Sequence, residues 1–166
     1  YRTNSFNQSL NSWNVGNLIN PSQMFQECAS FNGNISSWVF TTNPAKNVNA
    51  TSMFQSATSF NQDISNWNVV RFTNMSNMFL NATSFNQNIG SWNVSNVTSM
   101  SSMFNNANVF AQDISGWNVG NVTNMASMFQ NADVFNIDIS SWNVSNVTNM
   151  SNMFAYNNIF NQDLSN

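Results

Sequence analysis

The sequence predicts a repeat solenoid: one array over residues 1–166, each coil carrying a short parallel β-strand and a short helix or 3-10 segment. Three observations predict it. The string Phe-Asn-Gln-Asp-Ile-Ser-x-Trp-Asn-Val-x-Asn-Val-Thr-Asn-Met-Ser-x-Met-Phe-x-Asn-Ala returns from starts at Phe6, Phe31, Phe60, Phe85, Phe110, Phe135 and Phe160. Those starts are 25 residues apart, except for 29 between Phe31 and Phe60. Trp13, Trp38, Trp67, Trp92, Trp117 and Trp142 keep the same beat. A period of about 20–50 residues marks an array whose units bury their apolar face only against neighbours. Six full units and a partial seventh are expected, with a four-residue insertion near 41–46.

Each element has a reason. With the phenylalanine as position 1, apolar residues fall at 1, 5, 8, 10, 13, 16, 19, 20 and 23. The first six positions alternate, so Phe-Asn-Gln-Asp-Ile-Ser reads as a strand with Phe and Ile inward. Position 5 is Leu10, Ile35, Ile64, Ile89, Ile114, Ile139 and Leu164, a branched aliphatic in every copy. Trp at position 8 plugs the corner that follows; the competing reading is a stacking platform for sugars. The second half changes period. Val97, Met100, Phe104 and Ala107 fall at i, i+3, i+7 and i+10, one face of a helical or 3-10 segment. Ser95-Asn96, Gly120-Asn121 and Ser145-Asn146 stand where N-caps would. Parallel pairing would repeat each column about every 4.8 Å, with asparagines in register bonding along the axis.

Composition excludes more than it assigns. Charged residues are 5% of the chain, the net charge is −3, and there is no histidine. The only cations are Arg2, Lys46 and Arg71, too few for a nucleic-acid groove that tracks phosphates. No nucleophile–base pair or Gly-rich phosphate loop stands in the sequence, so catalysis is not expected. No apolar run reaches the roughly 18 residues of a membrane span, and no signal peptide opens the chain. Cys28 is the only cysteine, which rules out an internal disulfide. Solubility must come from 37 Asn and from Ser and Thr. Tyr1 begins in mid-phase and Asn166 stops part-way through a unit, so the ends are expected to meet neighbouring coils, covalently or in other copies.

Four groups of residues offer chemistry. Asp113, Asp138 and Asp163 occupy position 4 of successive coils, the one candidate for a calcium site; the competing reading is a solvated strand edge, since a full site takes six or more oxygens. Asn96, Asn121 and Asn146 form one column of glycosylation sequons, with Asn93 and Asn143 beside it; their use needs a eukaryotic-type secretory route. Lys46 and Arg71 should be neighbours on adjacent coils beside the insertion, a candidate interaction spot or simply two solvated cations. Thr73, Thr98, Thr123 and Thr148 make one rank only, which argues against ice binding.

The string Asn-Val-Thr-Asn-Met-Ser-Asn-Met-Phe ending at Phe154, followed by Phe160-Asn-Gln-Asp, resembles the bacterial surface-protein repeat of about 25 residues found in mycoplasma and Listeria lipoproteins. The resemblance spans the chain and extends to the related BspA-like leucine-rich repeats. Departures are Pro21 and Ala50 at position 16, Asn47 at position 13, and Asn157 at position 23. It implies a leucine-rich-repeat-like solenoid on a cell or particle surface and brings no catalytic residues. The expected function is a non-enzymatic, extracellular scaffold, fibre subunit or adhesin that self-associates or abuts further repeats, with a carbohydrate-binding surface as the alternative. No cofactor is expected beyond the calcium candidate.

Overall fold

The computed structural model describes residues 3–165; Tyr1, Arg2 and Asn166 lie outside the described residues. Each unit lies on the one before it, and turns do the work expected of a helix. Among the described residues there is no helix. Regular strand is confined to β1, Val48–Asn49, and β2, Phe72–Asn74, which pair in parallel. Single parallel bridges continue the line from Asn74 to Ser99, Asn124 and Asn149.

The apolar columns mark the turn corners. In the third and fourth units, backbone N–H groups of Met78, Ala82, Phe85, Trp92 and Val97 donate to the carbonyls of Met75, Phe79, Ala82, Ile89 and Val94. Every residue in that set is buried, so each turn places an apolar side chain at both of its ends. The helical face expected at Val97, Met100, Phe104 and Ala107 is this set of corners: all four are buried, but on consecutive turns. Positive φ at Ser102 (52°) and Asn106 (57°) stops a helix there, and the same two positions are left-handed in every full unit. Asparagine accepts that region more readily than most residues, whereas β-branched residues avoid it.

The remaining N–H groups point along the stack. Those of Met75, Asn77, Phe79 and Asn81 donate to the carbonyls of Ser99, Ser101, Met103 and Asn105 in the next unit, at 2.8–3.0 Å. Met100, Ser102, Phe104 and Asn106 repeat the pattern one unit on. The inter-unit ladder therefore runs through the second half of the unit. In the first half, where the sequence predicts the strand, an asparagine side chain takes the backbone's place. The Oδ1 atoms of Asn7, Asn32, Asn61 and Asn86 accept the N–H groups of Asn32, Asn61, Asn86 and Ala111.

Aromatic rings fill the interior in two interleaved columns. Phe54, Phe79, Phe104 and Phe129 stack at 5.6–5.8 Å, and each contacts the next position-1 phenylalanine, as in the Phe79–Phe85 pair at 3.9 Å. Burying a ring of this size contributes about 1.5–3 kcal/mol, so these columns dominate the cohesion between units.

The insertion corrects one register expectation. Val48, not Asn47, pairs with Phe72 and is fully buried at position 13, with the irregularity between Val48 and Asn49 restoring phase. Asn47 is left at the rim, where its Oδ1 accepts from Arg71.

Candidate functional site

The side chains that sequence offers as chemistry mostly hold the backbone. The Oδ1 atoms of Asp113, Asp138 and Asp163 accept the backbone N–H two residues on, at Ser115, Ser140 and Ser165, at 2.9 Å. Asn34 and Asn88 do the same for Ser36 and Gly90, so at this position a carboxylate and an amide serve one turn. The hydroxyl and then the backbone N–H of Ser115 and Ser165 hold Asp113 and Asp163 below the usual carboxylate value. At Asp138 the Ser140 backbone N–H is the larger cause, opposed in part by desolvation and by the charge of Asp163. Among the described residues, no group of three or more His, Cys, Asp or Glu side chains could hold a metal ion.

Five tryptophans are buried and fully used. Trp38, Trp67, Trp92, Trp117 and Trp142 donate Nε1–H to the carbonyls of Leu10, Ile35, Ile64, Ile89 and Ile114 in the preceding unit, at 2.9–3.2 Å. Indoles this deeply buried offer no open face for a sugar to stack on. Trp13 differs: it is 52% exposed.

The sequons divide in two. Asn96, Asn121 and Asn146 donate Nδ2–H to the carbonyls of Val70, Ser95 and Gly120 at 2.7 Å, so the nitrogen that would carry a sugar pins adjacent units together. Asn93 and Asn143 are exposed and use only Oδ1, which accepts from Ser95 and Ser145. Lys46 and Arg71 do converge on the insertion. Arg71 donates from Nε to the Lys46 carbonyl and from Nη2 to the Pro44 carbonyl and Asn47 Oδ1. The Lys46 ammonium donates to Asn17 Oδ1 at 3.2 Å. Both cations tie the loop down.

One further feature lies at the last described unit. There an apolar hollow of about 250 Å³ is lined by Ile139, Trp142, Val144, Met153, Phe154 and Leu164, among others. Val144 is 40% exposed and Leu164 45%, although their equivalents Val119 and Ile114 are buried. Only the phase of Phe160 and Leu164 signalled this hollow in the sequence; its depth depends on the turns beneath it.

Units stacked through shared columns, with polar side chains turned to that stacking, define a repeat protein. The chain belongs to the family described as "Mycoplasma protein of unknown function, DUF285", which it matches over residues 1–49 and 46–166. The two matches meet beside the insertion. No curated protein and no solved structure matches the chain.

Proposed function

We propose that this chain is a non-enzymatic repeat protein that works outside the cell, at a cell or particle surface, as a scaffold, fibre subunit or adhesin. The reading takes it as a leucine-rich-repeat-like solenoid, similar to mycoplasma- and Listeria-type surface repeats and to the BspA-like repeats. One observation carries it most. The tryptophan N–H groups, the asparagine amides and the position-4 carboxylates hold units together or close turns. Such a molecule works through the length and surface of its stack. Neutral amides suit it, since like charges repeated at each unit would repel.

Its partners would be further repeats or other copies of the chain, and glycans on Asn93 and Asn143 if the source glycosylates. A carbohydrate surface is the second reading. With five indoles covered, the sugar would lie on the exposed side chains of Thr98, Asn121, Thr123, Asn146 and Thr148, where hydroxyls and amides alternate. Antibody labelling and protease shaving of intact source cells test the location. Signal from inside the cell only would defeat the surface reading. A glycan array separates the two roles, with specific binding favouring the carbohydrate surface and a blank array the scaffold.

A further inference from the structure

One flank of the stack carries an apolar rank beside a charged one. Where one unit passes into the next, side chains alternate outward and inward. Val109, Ala111 and Asp113 are exposed while Phe110 and Ile114 are buried, and Val134, Asn136 and Asp138 are exposed while Phe135 and Ile139 are buried. Ile159, Asn161 and Asp163 repeat the exposed row. Three ranks therefore run along the stack: aliphatic at position 25, short at position 2, and carboxylate at position 4. The position-1 rings beneath these rows stack at 6.0–6.3 Å. The fold does not need the aliphatics, since earlier units hold Ser30, Ser59 and Ser84 at the same position. Nor does the exposure of Val109 and Val134, 42% each, arise at an end of the sequence, because both stand in units with neighbours on either side.

The middle rank holds an open donor. The N–H groups of Asn32, Asn61, Asn86, Ala111 and Asn161 each donate to the asparagine one unit back. Asn136 finds Ala111 there instead, and its N–H has no acceptor among the described residues. A backbone N–H that a ligand covers needs an acceptor from that ligand. The alanine also lowers the middle rank at this point.

We propose that this flank binds an extended peptide segment of a partner protein in which apolar and basic residues alternate. The segment lies over the position-2 rank, parallel to the stack axis. In an extended chain the side chains on one edge recur about every 6.6 Å, close to the spacing of the rows. One edge then sets an apolar side chain against each of Val109, Val134 and Ile159. The other sets a Lys or Arg against each of Asp113, Asp138 and Asp163, and a main-chain carbonyl accepts the Asn136 N–H. Main-chain bonding with alternate side chains read separately is an established mode of peptide capture. Charge selects the occupant. Residues 84–166 hold Asp113, Asp133, Asp138 and Asp163 and no Lys or Arg. Of the three cations in the chain, Lys46 and Arg71 hold the insertion loop, which leaves a second copy too few to match these carboxylates. Pairing two such flanks would press like charges together.

The proposal goes beyond the surface reading and does not depend on it. The probe is a fluorescein-labelled hexapeptide alternating valine and lysine, titrated with the 166-residue chain by fluorescence anisotropy. A peptide of three valines followed by three lysines, and hexalysine, serve as comparisons. The alternating peptide should bind about tenfold more tightly than either. Three variants borrow residues that other units already carry at the same positions, so each should fold, as a thermal melt will check. Val109→Ser with Val134→Ser removes the aliphatics. Asp113→Asn with Asp138→Asn removes charge and keeps the turn acceptors, and Ala111→Asn supplies the Asn136 N–H with a partner. Each should weaken binding of the alternating peptide about tenfold, and added salt should erase the effect of the Asp changes but not of the Val changes. No binding, equal binding of the three peptides, or variants that bind like wild type each overturns the proposal. In hydrogen exchange the Asn136 amide should gain protection when the alternating peptide is bound, and an unchanged rate overturns the main-chain contact. A surface chain that fails these titrations would defeat this proposal alone, and a chain that binds the peptide but is absent from the surface would defeat the surface reading alone.

Discussion

Trp92 tests whether the indoles are rivets. It is 3% exposed, lies 6.4 Å from the Trp67 ring at an interplanar angle of 1°, and donates Nε1–H to the Ile64 carbonyl at 3.1 Å. Trp92→Ala removes a large core side chain, a change worth about 3–5 kcal/mol. Trp92→Phe keeps most of the ring but orphans a buried carbonyl, which costs about 1–3 kcal/mol. The phenylalanine variant therefore isolates the hydrogen bond, and the gap between the two variants reports packing. Urea unfolding followed by circular dichroism measures both, with the slope checked so that a changed unfolded state is not mistaken for lost stability. Because units contact only their neighbours, the alanine variant should also broaden the transition as the halves flanking the fourth unit uncouple. If both variants stay within about 0.5 kcal/mol of wild type, the scale of an ordinary surface change, the rivet argument is wrong.

The other predictions concern the polar columns. Asn61→Ala strips the acceptor from the Asn86 N–H and from Gln87 Nε2 and should cost about 1–2 kcal/mol; adding Gln87→Ile should recover part of it, as the natural pair Ala111 and Ile137 implies, and a double-mutant cycle showing no coupling would refute the link. Replacing Asp63, Asp113, Asp138 and Asp163 together with Asn keeps every Oδ1 acceptor and removes the titration. In wild type the folded values lie below 3.8, so their contribution is present above that pH and lost as pH falls through the lowered values. Melts below pH 4 should fall in wild type and flatten in the variant. Ser102→Gly should stabilise and Asn106→Val destabilise, each by about 1 kcal/mol or more in thermal unfolding, because both sites hold positive φ. Arg71→Ala should speed proteolysis within residues 41–46 without shifting the main transition, since its guanidinium grips the Pro44 and Lys46 carbonyls.

The period, the columns and the inward set were legible because side-chain burial depends on spacing alone. What failed was the conversion of spacing into backbone. Turns that bury both ends repeat every three or four residues, and Val97, Met100, Phe104 and Ala107 cannot distinguish that rhythm from 3.6. The discriminating signal was present in the asparagines at positions 18 and 22 (Asn77, Asn81, Asn106, Asn131 and Asn152), which tolerate left-handed φ where a helix would favour Ala, Leu or Lys. The asparagines were read as ladders along the axis. That holds at Asn61 and Asn86, whereas Asn93 and Asn143 cap local turns by bonding two residues on. The calcium candidate arose from the same ambiguity, since a column mixing Asp with Asn marks a turn acceptor as readily as a ligand. The bulge that seats Val48 in place of Asn47 follows from the insertion, and counting from either flank could not place it.

An asparagine that accepts a backbone N–H stands in for a carbonyl and adds no charge, and a stack of closely spaced copies permits little else. The charge of Asp163 already raises the cost of ionising Asp138, and a full column of carboxylates would multiply that repulsion at every step. The same economy fixes where interaction is concentrated. Inside the stack, indole N–H groups, turn amides and ladder carbonyls meet their partners in the next unit.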